Sequence, residues 1–446
     1  MGSVMATPMG TVDLFDQGYV SDPFPVWDAL REDAPVHYEP DTGLWLVSRY
    51  DDVRAILLDT DTFLPDNAMD AIGRFSIPTL RVLAKARFAL PPTLASNGGE
   101  SHAGYRRVMT RLLNARAVAA SVPMIERVTG ECLDLAEERL AADGVCDLAT
   151  TPARDVPLLV LLRLLGLDQA LDAGLDTLAR WSDASLELFW GRPDAGRQLE
   201  LAGEAADFYR WIRGLVAGPA AGEDTLLGAL AAHRLPGGGP LSAAQSAAVL
   251  YFMIIAGQAT TRQMMSLMYR RALGEPGLWR RFAAEPAGVE PWAEEMLRRE
   301  PPITTWRRVT ARPVTVRGVD IPAGAPLLLM LASTGSDPDV FENPSGSARA
   351  VEPPRTSVLR RGAPPVLRRR TGQGRGRCDA ADDRGPAAGP AARGRRLGPR
   401  DAGAALLPGA AARTGGAGPG GTALASPRAG EAADLTPMRG EAQRHW

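Results

Sequence analysis

Lysine is almost missing from this chain: Lys85 is the single one among 50 basic residues, and the rest are arginine. Arg, Ala, Gly and Pro all have GC-rich codons, so a high-GC bacterial coding sequence is expected. Cysteine is scarce as well. Cys132, Cys146 and Cys378 are too few and too scattered for a disulfide framework or a zinc site, which points to a reducing cytoplasm. Charge of one sign is missing too. The net charge of -2 gives no overall field that favours nucleic acid or an anionic membrane. Residues 1–20 carry no basic segment followed by an apolar run, so neither a signal peptide nor an N-terminal anchor is expected.

The chain has 446 residues and 45% hydrophobic content, enough for one large core or two moderate ones. Its composition changes abruptly after Pro344. Residues 345–446 contain no Phe, Tyr, Ile, Lys or Asn, and they hold eighteen Arg against eight Asp plus Glu. No stretch there keeps a helical or strand period for long. By composition alone such a tail reads as a disordered basic arm.

The first 344 residues read as globular. Val36–Tyr38 and Leu44–Val47 are short apolar strands around Asp41-Thr42-Gly43, a hairpin-turn signal. A helix through Val53, Ile56 and Leu57 is expected to open with Asp51 or Asp52 as its cap. Arg106–Leu113, Pro123–Leu140 and Val156–Leu165 are helical by length and apolar spacing. Ala247–Met268 is long and apolar enough for a membrane span, but Gln258, Thr260, Thr261, Arg262 and Gln263 argue for a buried core helix. Trp292–Arg299 is a helix ended by Pro301-Pro302. Val314–Val316 and Leu327–Leu331 are strands, joined through Gly318 and Ile321-Pro322-Ala323-Gly324. The fold class is mainly α with small β-sheets.

Glu295 and Arg298 lie three apart on one helix and can pair. Alone, that spacing describes many surface ion pairs. Its sequel is more specific: Pro301-Pro302, then Arg308, a strand, a turn, and Asp337-Pro338-Asp339-Val340-Phe341-Glu342-Asn343-Pro344. The long apolar helix carries Ala256-Gly257-Gln258-Ala259-Thr260-Thr261. Small residues there suit a packing seam, and a Thr hydroxyl can bond a carbonyl one turn back and bend the helix. Upstream, Glu100-Ser101-His102-Ala103-Gly104-Tyr105-Arg106-Arg107 puts His102 and Arg106 on one helical face. A lone His near a helix start is ordinarily a cap or a surface residue.

Taken in order, these motifs resemble the bacterial cytochrome P-450 family of haem-thiolate monooxygenases, over about residues 12–344. Asp22-Pro23-Phe24-Pro25 and Leu44-Trp45-Leu46-Val47 fit as well. The resemblance implies a cytochrome P-450 fold. Glu295 and Arg298 take the family's structural Glu-x-x-Arg. His102, Arg106 and Arg308 take its haem-propionate ligands, a role that suits a guanidinium's bidentate geometry. Gly257 takes the place that makes room for dioxygen, and Thr260 the hydroxyl used in proton delivery. Ala259 stands where the family has Asp or Glu, which puts the ordinary proton relay in doubt. Gln258, a water chain or a polar group of the substrate is the expected substitute. The expected pocket walls are Phe88–Leu94, Trp181–Trp190, Phe252–Ala259 and Ile303–Trp306.

The family's defining loop, Phe-Gly-x-Gly-x-His/Arg-x-Cys-x-Gly followed by Leu-Ala-Arg, is absent. Cys378 lies in Gly-Arg-Cys-Asp-Ala, without the flanking Gly and Phe. The genetic code offers a reason. Synonymous codons for Leu359 to Arg368, read from their second base, give Phe-Gly-Ala-Gly-Arg-His-Arg-Cys-x-Gly. The next six residues give Ala-Ala-Leu-Ala-Arg-Ala in the same register. The axial cysteine is then encoded across the codons of Val366 and Leu367, and the tail is out-of-frame translation. The expected organisation is residues 1–344 as a P-450 domain lacking its haem-ligand loop and following helix, and residues 345–446 as a disordered out-of-frame tail. No residue of the chain as written is expected to ligate iron.

The resemblance implies a cytoplasmic enzyme that carries haem b. It oxidises a small organic substrate with dioxygen and two electrons from NAD(P)H, delivered by ferredoxin and ferredoxin reductase, in the manner of secondary metabolism. Neither membrane nor nucleic acid is an expected partner, and the chain as written is expected to be inactive. One alternative is a haem-thiolate enzyme that couples, isomerises or reduces, which Ala259 would suit. Another is a non-enzymatic remnant whose arginine-rich tail binds nucleic acid.

Overall fold

The computed structural model describes residues 10–219, 222, 224–342 and 344. The tail at 345–446, with Val366 and Cys378, lies outside the described residues. The fold is mainly helical, as the apolar periodicity predicts. In chain order the helices are α1 (Gln17–Ser21), α2 (Phe24–Asp33), α3 (Tyr50–Leu58), α4 (Ile77–Lys85), α5 (Gly99–Leu112), α6 (Ala115–Ala120) and α7 (Val122–Asp143). They continue with α8 (Asp155–Leu164), α9 (Leu175–Trp190), α10 (Ala195–Ala217), α11 (Leu226–Ala232), α12 (Ala243–Gly274), α13 (Leu278–Ala284), α14 (Val289–Arg299) and α15 (Leu331–Thr334). The strands are β1 (Val36–Glu39), β2 (Leu44–Val47), β3 (Phe63–Leu64), β4 (Trp306–Thr310), β5 (Val314–Val316), β6 (Val319–Ile321) and β7 (Pro326–Leu329).

β1 and β2 form the expected hairpin, with Val36 opposite Val47 and Gly43 at φ 70° in its turn. The hairpin joins a five-stranded sheet in the order β1-β2-β7-β4-β3. β2 runs parallel to β7, which requires a long crossover, and every helix from α3 to α14 lies between them in sequence. The sheet therefore ties residues 36–64 to residues 306–329. β5 and β6 make a separate ribbon around Gly318.

The largest core cluster joins α4, α5 and the helices from α8 to α12, with Tyr105, Phe208, Tyr209 and Tyr251 among its fully buried side chains. α12 is the centre of this cluster. It packs on α8, α9 and α10, then on α13 and α14. By length and composition it could cross a membrane, yet Ser246–Tyr251, Ile254, Ile255, Gln258 and Ala259 are buried against protein. A second cluster backs the sheet through Val47, Val53, Leu327, Leu329 and Phe341.

Several expected boundaries shift for local reasons. α3 starts at Tyr50 with Arg49 as an extended N-cap whose side chain makes no capping bond. Asp51 and Asp52 lie inside its first turn, where a carboxylate favours the helix N-terminus, so neither is the cap. α5 begins at Gly99 rather than at Arg106. The strand expected over Leu327–Leu331 stops at Leu329, and Leu331 opens α15.

Candidate functional site

α12 starts with a capping box: the Ser242 hydroxyl accepts from the Gln245 N–H while the Gln245 side chain accepts from the Ser242 N–H. Its middle carries the Ala256–Thr261 motif. The Thr260 hydroxyl donates to the Ala256 carbonyl at 2.7 Å, and Thr261 to the Gly257 carbonyl at 3.1 Å. Both hydroxyls thus spend their protons on their own helix. A Cβ added at Gly257 would stand 2.7 Å from a Leu161 methyl of α8. A side chain there would push on Leu161, so the glycine lets α8 pack closely on α12 and the geometry displays the small-residue seam. Ala259 is buried and offers no carboxylate. Gln258 is fully buried, and neither amide atom has a hydrogen-bond partner.

α5 buries Gly104, Tyr105, Val108 and Leu112 toward the core. His102 and Arg106 lie on its other side. His102 is half-buried, and Arg106 is exposed. Burial, then the nearby Arg106 guanidinium, hold the imidazole below the usual histidine range. Gly104 lets the His233 ring approach: a Cβ would meet it at 2.9 Å.

α14 buries Glu295 and Arg298 together. Arg298 Nε donates to Glu295 Oε2 at 2.8 Å, and Nη2 donates to Oε1. Nη1 donates to the Gly335 carbonyl just beyond α15, and the guanidinium lies 4.9 Å over the Phe341 ring. The pair thus fastens α14 to residues 335–341. In β4, side chains alternate between faces. Arg307 is the more buried, and it donates to the Asp70 carbonyl. Arg308 donates from Nη1 to the Arg307 carbonyl at 2.7 Å, and its Nε is buried without a partner. Burial pushes both guanidinium groups below their ordinary pKa.

His102 and Arg106 come together, as do Glu295 and Arg298. Among the described residues no hydrogen bond or ion pair joins Arg308 to His102 or Arg106. Arg307 and the His233 contact were missed by sequence reasoning, and Gln258, expected as a proton-relay substitute, is buried without a partner. Arg307 had a signal, since in an Arg-Arg dipeptide on a strand only one side chain faces in. The space expected beside Phe88 is filled. Phe88 packs on Phe189, Tyr209 and Tyr251 with ring centroids 4.9–5.8 Å apart. A cleft of about 1140 Å³ opens between α9, α10 and the second half of α12, and two expected wall segments reach it, through Asp183, Ala184 and Glu187 and through Thr304. Thr304 and the outward face of α9 line it, but Thr260, His102, Arg106 and Arg308 do not.

The donor set decides whether haem fits. Unpaired nitrogens on Arg307 and Arg308 suit carboxylate groups. An axial thiolate does not fit. Cys132 is packed in α7 against Val128 and Val156, and burial pushes its thiol pKa up, which holds it protonated. The Cys146 thiol points at the Thr151 carbonyl. Among the described residues no group of three His, Cys, Asp or Glu could hold a metal.

The Cytochrome P450 family profile matches residues 291–346, the stretch from α14 to the composition break. Cytochrome P450 107B1 of Saccharopolyspora erythraea is 27% identical over 341 residues, covering 74% of this chain and 79% of its own. The cytochrome P450 monooxygenase PikC of Streptomyces venezuelae is 27% identical over 354 residues, covering 77% of this chain and 78% of its own. The vitamin D(3) 25-hydroxylase of Pseudonocardia autotrophica is 28% identical over 337 residues, covering 74% and 78%. Among solved structures, cytochrome P450 CREJ in complex with (4-ethylphenyl) dihydrogen phosphate superposes with TM-score 0.66 at 27% identity. That match covers 73% of this chain and 79% of that one.

Proposed function

The chain belongs to the bacterial cytochrome P450 family of monooxygenases, and from that premise we propose that its gene specifies an enzyme that inserts one oxygen atom of dioxygen into a small organic substrate. Two electrons come from NAD(P)H through a ferredoxin and its reductase. Haem b supplies the oxygen chemistry when bound, and the protein supplies the pocket and proton delivery. His102, Arg106 and Arg308 are the proposed propionate ligands, Glu295 and Arg298 the structural pair, and Gly257, Ala259 and Thr260 the oxygen-side segment. The carrying observation is the buried Glu295–Arg298 pair that fastens α14 to residues 335–341, within the stretch the family profile matches.

The polypeptide as written is proposed to be inactive. Its tail at 345–446 replaces the haem-ligand loop with out-of-frame residues, and the cysteine codon lies hidden across Val366 and Leu367. The test is oxygen consumption with ferredoxin, reductase and NAD(P)H. The frame-restored enzyme should consume dioxygen and the chain as written should not. Ala259 favours a second reading, a haem-thiolate enzyme that couples, isomerises or reduces. Product formation by the frame-restored enzyme without dioxygen would establish that reading in place of the first.

A further inference from the structure

Two polar contacts tie α9 to α12. The Ser185 and Tyr251 hydroxyls are 2.5 Å apart, and Arg262 Nη1 donates to Asp183 Oδ2 at 2.8 Å. These contacts fix which faces of the two helices meet. Gln258 lies seven residues after Tyr251 and four before Arg262, so all three share one face of α12. Ser182 lies three residues before Ser185 and shares its face of α9. Gln258 thus lies between the two ties on α12, and Ser182 lies on α9 directly before the Asp183 tie. Both are fully buried. Neither the Ser182 hydroxyl nor either atom of the Gln258 amide has a partner, and Asp183 Oδ1 beside them is also buried and unpaired.

Such a cluster calls for a ligand. A buried amide without partners is costly, and native interiors pair nearly all such groups with protein or with water. Apolar cavities stay dry, whereas polar ones hold water that makes about three hydrogen bonds. The seam offers a suitable set: an amide N–H and an amide carbonyl from Gln258, and a hydroxyl that can donate or accept from Ser182. The neighbouring polar side chains of the seam, Ser185 with Tyr251 and Arg262 with Asp183, are engaged with each other. We propose that Gln258 and Ser182 hold one or more buried water molecules between α9 and α12. The site requires no haem and does not depend on the proposed activity. It gives Gln258 a role on the α9-facing side of α12, about 200° around the helix from Thr260.

Gln258→Leu and Ser182→Ala test the proposal by sign. Leu is close to Gln in size, so packing changes little. Hydrogen exchange is measured on the soluble, folded fraction of the full-length chain, comparing α9 amides (175–190) with sheet amides in β2 and β7 as the internal reference. If water bridges the two side chains, removing either partner strands the other. α9 protection should then fall about tenfold in each variant, the effect of one lost buried hydrogen-bonding partner. If the two groups are simply unpaired, Gln258→Leu relieves an unmet polar group and α9 protection rises. A rise or no change in Gln258→Leu would overturn the proposal. A fall in both variants, with β2 and β7 unchanged, would support it.

Discussion

Replacing Arg298 by Met should cost about 3–5 kcal/mol, because the guanidinium is the partner of a buried carboxylate. The side chains of Arg298 and Glu295 are 4% and 6% exposed, so solvent does not screen the pair. Met keeps the length of the stem but removes both bonds to Glu295 and the bond to the Gly335 carbonyl. It also removes the guanidinium from over Phe341, whose ring belongs to the sheet-backing cluster. A charged Glu295 left in that pocket must stay unpaired or take up a proton, and both weaken the fold. Set against the usual net stability of about 5–15 kcal/mol, the loss is a large fraction of the whole. Urea unfolding of the soluble, folded fraction of the full-length chain, followed by tryptophan fluorescence, reads it as a shift in midpoint at constant slope. Adding Glu295→Met to Arg298→Met should recover much of the loss, since apolar replacement of a whole buried pair is often neutral. A single-variant cost under about 1 kcal/mol, the range of exposed pairs, would refute the view that this pair fastens α14 to residues 335–341.

Gly257→Ala should destabilise by about 1–3 kcal/mol, because its Cβ would stand 2.7 Å from the Leu161 methyl, and Leu161→Ala should restore part of that in the same urea assay. Ser242→Ala removes the hydroxyl half of the α12 capping box and should cost about 1 kcal/mol, with circular dichroism showing earlier melting. His102 and His233 both have pKa values held below 6.5, chiefly by burial. The unfolded chain therefore binds protons more readily, so stability should be flat above about pH 6.5 and fall as pH drops below it, and unfolding midpoints that rise on acidification would contradict this. In the frame-restored enzyme, Thr260→Ala should divert electrons from product to peroxide, and unchanged coupling would remove Thr260 from proton delivery.

The hairpin at 36–47, the helix before Pro301-Pro302 and the apolar α12 were legible because each carries a strong local pattern and a stop signal. α10 was not read at all. Its buried face mixes Ala202, Ala205, Ala206 and Gln198 with Leu201, Phe208, Tyr209 and Ile212, so the larger apolar residues do not recur over its whole length. α4 was hidden because Ile77 and Leu80 are exposed while Thr79 is buried, the reverse of what side-chain polarity suggests. The start of α5 was obscured by Gly98-Gly99, poor helix formers that nonetheless sit at its cap and first position. In the candidate site, sequence spacing alone puts Glu295 by Arg298 and His102 by Arg106, because partners three or four apart on a helix must share a face. Contacts across the fold were beyond it. Nothing in Gly257 says that Leu161, 96 residues earlier, presses on it, and nothing in Phe88 says that its ring fills space expected to be open.

The most direct test is the carbon monoxide spectrum of the reduced protein, taken on the chain as written and on a version whose reading frame is restored after Pro344. The restored protein should show the band typical of thiolate-ligated haem, and the chain as written should lack it and be recovered largely insoluble or partly unfolded. A thiolate spectrum from the unmodified chain would contradict the account, because one of Cys132, Cys146 and Cys378 would then have to be the ligand.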